Sequence, residues 1–168
     1  MTMNTLVREH RLPSNPIDIL EELVISNDWP FTRSNDSELA VEVSGRWCSY
    51  QLCFLWDEAS QSVHFSSFID SRVPPLQRAR VHELMGAVNE RLWIGHFELG
   101  AEEGSPLFRH TLPLRGTFGA SAEQLEDLMD TAAIECERFY PALQLVVWGG
   151  RSVADAIATA VMDTHGEA

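Results

Sequence analysis

The fold is decided by residues 38–69, which read ELAVEVSGRWCSYQLCFLWDEASQSVHFSSFI. Apolar side chains occupy every second position in two runs of this stretch: Leu39, Val41 and Val43, then Tyr50, Leu52, Phe54 and Trp56. Such alternation is typical of strands that bury one face, and Val63–Ile69 is expected to form a third strand. The turns at Ser44-Gly45 and at Asp57 to Ser60 are too short for crossover connections. The stretch therefore predicts an antiparallel meander, with Phe31–Arg33 as a lead-in.

Helices are predicted before and after the meander in the sequence. Asn15 followed by Pro16 is a helix start, because asparagine can accept a backbone N–H and proline suits the first turn. This first helix is expected to end at about Ser26. A second helix is expected to begin at Pro74-Pro75 and to close at Gly95 as a left-handed cap. Its core-facing stripe consists of Leu76, Val81, Leu84, Met85, Val88 and Leu92.

Two further strands, at about His96–Ala101 and Leu107–Leu114, are predicted to precede a long third helix. Ser121 and Gln124 form a capping box at the start of that helix. Its inward stripe consists of Leu125, Leu128, Met129, Ala132, Cys136, Phe139 and Leu143, and its acidic outer side of Glu123, Glu126, Asp127, Asp130 and Glu137.

The end of the third helix is marked by helix-breaking residues. Pro141 is expected to kink or interrupt it because proline removes a backbone donor. Gly149-Gly150 is expected to end it, and Ser152 to cap a short last helix to about Met162. The predicted order is α-βββ-α-ββ-α(α), an α+β domain with an antiparallel sheet and helices on one face. Residues 15–163 are expected to be this single domain, with flexible tails at residues 1–14 and 164–168.

The charge of the chain disfavours two classes of partner. Asp and Glu number 25 against 12 basic residues, all of them arginine, and the net charge is −13. An acidic surface repels phosphate backbones and anionic lipids, so neither nucleic acid nor membrane is an expected partner. The start of the sequence has no secretory signal pattern, and the odd cysteine count fits reduced thiols. We expect a cytoplasmic protein.

Motifs for the common enzyme and cofactor chemistries are missing from the sequence. A P-loop requires a lysine, and the chain has none. The sequence therefore predicts no catalytic residues, no cofactor and no metal site. Two weaker hypotheses remain: a metal site built from His64, His96 and His110 with Cys48 or Asp70, and acid–base work by Glu42, Asp57, Glu58 or Asp70.

From Val73 onward the sequence resembles the YbjN family of small bacterial proteins, which are described as sensory transduction regulators. The stretches that carry the resemblance are Pro75 to Leu92 with Asn89-Glu90-Arg91-Leu92, Gly95-His96-Phe97-Glu98-Leu99, Leu112-Pro113-Leu114, Tyr140-Pro141-Ala142-Leu143, and Gly149-Gly150 followed by Ala154 to Ile157. With the N-terminal helix and meander, the resemblance covers about residues 16–160. It implies a fold similar to class I type III secretion chaperones, which are small, acidic and usually dimeric and hold segments of other proteins. It brings no catalytic residues.

One side of the second helix is not explained by the core. At 100° per residue, Ala79, His82, Gly86 and Trp93 fall within about 60° of one another, opposite the apolar stripe. A glycine inside a helix costs about 1 kcal/mol relative to alanine, so Gly86 indicates close approach of another backbone. Trp93 beside small residues is typical of an interface anchor. These four residues are the candidate dimer or partner interface, and the alternative is that the C-terminal helices of the same chain cover them.

Two classes of function follow from the sequence. The favoured one is a non-enzymatic protein-interaction module, YbjN-like and homodimeric, that binds a protein or peptide with chaperone-like hydrophobic patches. The alternative is a small-molecule sensor or an enzyme with a pocket between sheet and helices, to which His64, His96 or His110 would contribute.

Overall fold

The computed structural model describes residues 14–165, and their side chains up to residue 160. The predicted tails therefore lie largely outside the described residues, although the last helix continues through Thr164 and His165. No helix in the described part of the chain is long and apolar enough to cross a membrane.

Within that range the chain forms four α-helices, six strands and one 3₁₀ turn. The helices are α1 (Pro16–Ser26), α2 (Arg78–Asn89), α3 (Ala122–Val147) and α4 (Val153–His165), and the 3₁₀ turn is Pro75–Gln77. The strands are β1 (Phe31–Asn35), β2 (Glu38–Ser44), β3 (Ser49–Asp57), β4 (Ser62–Ile69), β5 (His96–Leu99) and β6 (Pro106–Pro113). The predicted α+β class and order of elements are confirmed, with the lead-in at Phe31–Arg33 extended into β1.

The six strands form one sheet in the order β1-β2-β3-β4-β6-β5, and every neighbouring pair is antiparallel. Strands β1 to β4 are the predicted meander, in which short turns join each strand to the next. Strand β6 pairs with β4, so β5 becomes the second edge of the sheet. The two edges, β1 and β5, therefore lie at opposite sides of the molecule.

The core lies on one face of the sheet, under the helices. The alternating residues of β3 that were predicted to face inward are buried: Tyr50, Leu52, Phe54 and Trp56. Their neighbours Gln51 and Leu55 point to the opposite face and are exposed. We call this opposite side, which no described helix covers, the open face.

Helix α3 spans the core and follows its predicted pattern. Ser121 accepts a hydrogen bond from the amide of Gln124 (3.1 Å), and the Gln124 side chain accepts one from the amide of Ser121 (3.0 Å). Every residue of the predicted inward stripe is buried. The predicted interruption at Pro141 was wrong, because α3 continues through the proline to Val147 with its flanking residues Ala142, Leu143 and Val146 buried in the core. Ser152 caps α4 as predicted, by accepting from the amide of Asp155 (3.1 Å).

The predicted extent of the second helix was wrong at both ends. The apolar Leu76 lies in the 3₁₀ turn and is 93% exposed, although its spacing placed it on the core stripe. At the other end α2 stops at Asn89, and residues 90–95 lead into β5. Gly95 does have the left-handed conformation expected of it (φ 68°), but it precedes a strand and does not cap the helix.

Candidate functional site

Helix α2 presents a solvent-exposed side that carries three of the four candidate interface residues. Ala79, His82 and Gly86 are all exposed, and among the described residues no heavy atom outside the helix's own backbone lies within 4 Å of a Cβ placed at Gly86. The described residues of α3 and α4 therefore do not cover the helix at Gly86. We call Ala79, His82 and Gly86 the α2 outer side.

Trp93 lies outside the helix that was used to place it. Because α2 ends at Asn89, the angle of 100° per residue no longer fixes the position of Trp93 relative to Gly86. The tryptophan is nevertheless 77% exposed, in the segment between α2 and β5. The structure thus leaves all four candidate residues accessible, three on one helix side and one just beyond its end.

The inner side of α2 is fixed by packing and by one arginine. Val81, Leu84 and Met85 are buried in the core. The Arg80 guanidinium donates to the carbonyl oxygen of Val146 (3.3 Å) at the end of α3, and also to that of Arg151. Cations are favoured at helix C-termini, where carbonyl groups lack partners. These contacts hold α2 against the C-terminal helices and direct its outer side to solvent.

The three histidines of the alternative hypothesis do not come together in a pocket. On the open face, His64 contacts Ser62 through Nε2 and Thr111 through Nδ1 (both 3.2 Å). His96 lies on the same face near Glu98 (3.4 Å). His110 is in register with Phe65 on the helix face, where burial lowers its pKa and nearby His96 lowers it further. No group of three or more potential metal ligands occurs among the described residues.

A polar cluster at the base of the β2–β3 turn was not foreseen. Glu137 was assigned to the acidic outer side of α3, but it accepts hydrogen bonds from the buried Tyr50 hydroxyl (2.7 Å) and from the amide of Arg46 (3.0 Å). Gly45 is required beside it, since a Cβ there would lie 2.2 Å from Glu137 Oε1. Helical spacing gives no signal for this contact, because the partners are far apart in sequence.

The surface of the described residues includes two clefts that are not lined by His64, His96 or His110. The first, of about 670 Å³, lies on the open face at the end where Glu42, Gln51 and Phe68 meet the segment Asp70–Arg72. The second, of about 510 Å³, lies between the β2–β3 turn and helices α3 and α4. Its walls include Trp47 and Trp148, which are 45% and 64% exposed, and Tyr140, whose ring is nearly parallel to that of Trp47.

A family model matches this architecture over most of its length. The model of the YbjN family, described as "Putative bacterial sensory transduction regulator", matches residues 16–145. The chain belongs to the YbjN family. The match includes α1, the whole sheet, α2 and nearly all of α3, and thus both the α2 outer side and Trp93.

A solved structure shows the same fold. It is described as "Crystal structure of YbjN, a putative transcription regulator from E. coli", and it superposes on this chain with a TM-score of 0.51 at 12% sequence identity. The superposition covers 72% of this chain and 85% of the other. No curated protein matches the chain. At this identity the similarity shows the fold alone and does not indicate what the protein binds.

Proposed function

We propose that this YbjN family protein is a non-enzymatic protein-interaction module that forms a homodimer through the α2 outer side and Trp93. The observations that carry the proposal are a helical glycine that the described chain leaves uncovered and an exposed tryptophan just beyond the end of that helix. Trp93 and Leu76, three residues before Ala79, are among the most exposed large apolar side chains. Tryptophan is enriched among the residues that dominate binding energy at protein interfaces.

Gly86 supports a helix-to-helix contact with a second copy. Gly86 has no positive φ, and no other part of the described chain lies within 4 Å of its missing Cβ, so neither backbone geometry nor packing among the described residues requires glycine there. A glycine in a helix interior costs about 1 kcal/mol relative to alanine. Close approach of a second backbone would offset that cost.

The non-enzymatic part of the proposal is supported by where the titratable groups lie. The three histidines are divided between the two faces of the sheet, and neither cleft brings one of them beside a carboxylate. The His64 ring lies between the hydroxyl groups of Ser62 on its own strand and of Thr111 on β6, as expected of a structural histidine with its polar atoms hydrogen-bonded. The family resemblance supports the proposed chaperone-like role, and the odd number of cysteines supports the proposed cytoplasmic location.

The test is the solution mass of the full chain and of its Gly86→Leu variant, measured by light scattering. The wild type is expected at twice the 18.9 kDa of one chain. Leucine at position 86 should hold the second backbone away and give a monomer. The variant should remain folded, because the site is open and leucine is a better helix former than glycine by almost 1 kcal/mol. Trp93→Ala should weaken the dimer by removing its anchor.

The matched control is Ala133→Leu, which adds a similar side chain at an exposed position of α3. It is expected to leave the dimer intact. A folded Gly86→Leu variant with the mass of the wild type would overturn the proposed interface. A monomeric wild type at all concentrations would do the same.

A further inference from the structure

The β5 edge of the sheet is covered at Phe97 by a single side chain. The Asn89 amide donates to the carbonyl oxygen of Phe97 (3.0 Å), and its oxygen accepts from the amide of Phe97 (2.7 Å). Phe97 therefore directs its backbone groups away from β6, and Asn89 satisfies both as a neighbouring strand would. Asn89 is the last residue of α2, so the helix end itself covers this edge.

The β1 edge has no such cover. The amide of Glu42 bonds the carbonyl oxygen of Pro30 (2.9 Å), so Pro30 and, by alternation, Thr32 direct their backbone groups towards β2. Phe31 and Arg33 then direct theirs outwards. No described backbone or side-chain group bonds these outward amides and carbonyls, and within residues 14–165 β2 is the only strand that pairs with β1. An unpaired edge of this kind is a template for another strand.

The open-face cleft begins at this same edge. Its lining runs from Phe31 and Thr32 across β2 and β3 to Phe68 on β4. Neighbouring strands lie about 4.8 Å apart, so Glu42 on β2 would be roughly 10 Å from a backbone added beside β1. A long side chain of the added strand on the open face could therefore enter the cleft.

The charge of the cleft favours a positively charged side chain on the added strand. Glu42, Asp70 and Glu103 are exposed in the lining and face one cation, Arg72, which lies 3.8 Å from Glu103. Acids outnumber bases in the lining by three to one, in a chain whose net charge is −13. A lysine or arginine entering the cleft would find complementary charge, which favours association and orientation.

We propose that β1 and the open-face cleft together bind an extended, basic segment of a partner protein, which adds to the sheet beside β1. The backbone of the segment pairs with Phe31 and Arg33, and its lysine or arginine side chains on the open face enter the cleft. A second copy fits less well. Antiparallel pairing of two β1 strands about Thr32 brings no basic side chain to the open face, because Pro30, Thr32 and Ser34 are uncharged, and it joins two acidic chains. This surface is separate from the α2 outer side and does not depend on it.

The test is binding of a short, capped peptide of alternating valine and lysine to the full chain, measured by calorimetry. Three comparisons isolate the two contacts. The same peptide with methylated central backbone nitrogens keeps its charge but cannot donate to the edge, and it should lose binding. A peptide with glutamate in place of lysine should not bind. A variant with Glu42→Gln and Asp70→Asn should bind the basic peptide about tenfold more weakly, as expected for the loss of two partly screened charges.

The matched control for charge is Glu58→Gln, an exposed acid in the turn at the other end of β3. It should leave peptide affinity unchanged. The proposal is overturned if the basic peptide does not bind, if the methylated peptide binds equally well, or if only a chain lacking residues 1–13 binds, which would mean that the chain occupies its own edge. The Gly86→Leu variant should bind the peptide normally, so failure of the proposed dimer and failure of this site give different results.

Discussion

Tyr50 and Glu137 join the sheet to α3 through a hydrogen bond that involves a carboxylate. The Tyr50 ring is buried with the core, and its hydroxyl lies 2.7 Å from Glu137 Oε1. Burial raises the pKa of Tyr50 far above its usual value, and the hydrogen bond to Glu137 raises it further. Hydrogen bonds to charged groups contribute more than neutral ones, about 1.5–3 kcal/mol. Gly45 permits this contact, since any side chain at that position would collide with it.

Cys136 leads to a prediction about stability at alkaline pH. Burial raises the pKa of its thiol to about 12, partly offset by a hydrogen bond with Ser67, and burial also raises the pKa of Cys48 and of Cys53. Above about pH 8.5 the unfolded chain releases thiol protons that the folded chain retains, so stability falls as pH rises. We expect Cys136 alone to lower the free energy of unfolding by about 2 kcal/mol between pH 8 and 10.

Urea unfolding at a series of pH values measures this effect. Cys136→Ala should flatten the alkaline part of the curve while lowering stability at every pH through the lost packing. Cys53→Ala is the comparison, because Cys53 lies on the open face and is only partly buried. An unchanged slope in the Cys136→Ala variant would show that this thiol does not govern the alkaline loss.

At the scale of elements, α2 and β5 are joined by Asn89. Replacement by alanine leaves the amide and carbonyl of Phe97 without partners at a half-buried edge, which typically costs about 1–3 kcal/mol. It also opens a second unpaired strand edge, so we expect Asn89→Ala to be less stable and to self-associate with increasing concentration. Chemical unfolding and light scattering measure the two effects.

Asn89→Asp is the informative companion of that variant. Aspartate can still accept from the amide of Phe97, but it cannot donate to the carbonyl oxygen and would repel it. We expect a loss of stability at neutral pH comparable to that of Asn89→Ala. Full stability in both variants would contradict the role assigned to Asn89 in closing this edge.

The elements that the sequence predicted well are those whose signals are local. Asn15 accepts from the amide of Ile17 at the start of α1, and Ser121 with Gln124 starts α3, as expected from adjacent residues alone. Alternation along Tyr50 to Trp56 identified the buried face of β3 because one side of the strand lies against the core.

The features that the sequence did not predict depend on distant partners. Helical spacing placed Glu137 on the acidic side of α3, but its carboxylate accepts a hydrogen bond from Tyr50, which is 87 positions away in the sequence. Trp93 was placed on a helix that ends four residues earlier, since Asn89 bonds Phe97 at that point. The insertion of β6 between β4 and β5 has no local signal either. The exposure of the four candidate interface residues agrees with the sequence pattern, but their relative positions could not be predicted, and the interface itself stays a prediction.

At the scale of the whole molecule, the sheet has one face covered by helices and one face that no described helix covers. Helices close one side of the sheet and one of its edges, leaving the open face, the β1 edge and the α2 outer side accessible. Helix α3 carries six acids and one arginine, whereas α2 carries two arginines and one acid. In the proposed assembly, α2 contacts a second copy and the acidic open face receives a basic segment.

Disulfide trapping at Gly86 is the most direct test of the central claim that α2 packs against α2 of a second copy. If Gly86 marks the closest approach of two helices, the Gly86→Cys variant should place two thiols near the two-fold axis, within the Cα separation of about 7 Å that a disulfide allows. Mild oxidation should then give a covalent dimer on a non-reducing gel. Ala133→Cys should stay monomeric, and the wild type, whose own thiols are at least partly buried, gives the background. Equal trapping at both positions, or none at Gly86→Cys, would contradict the proposed contact between the two helices.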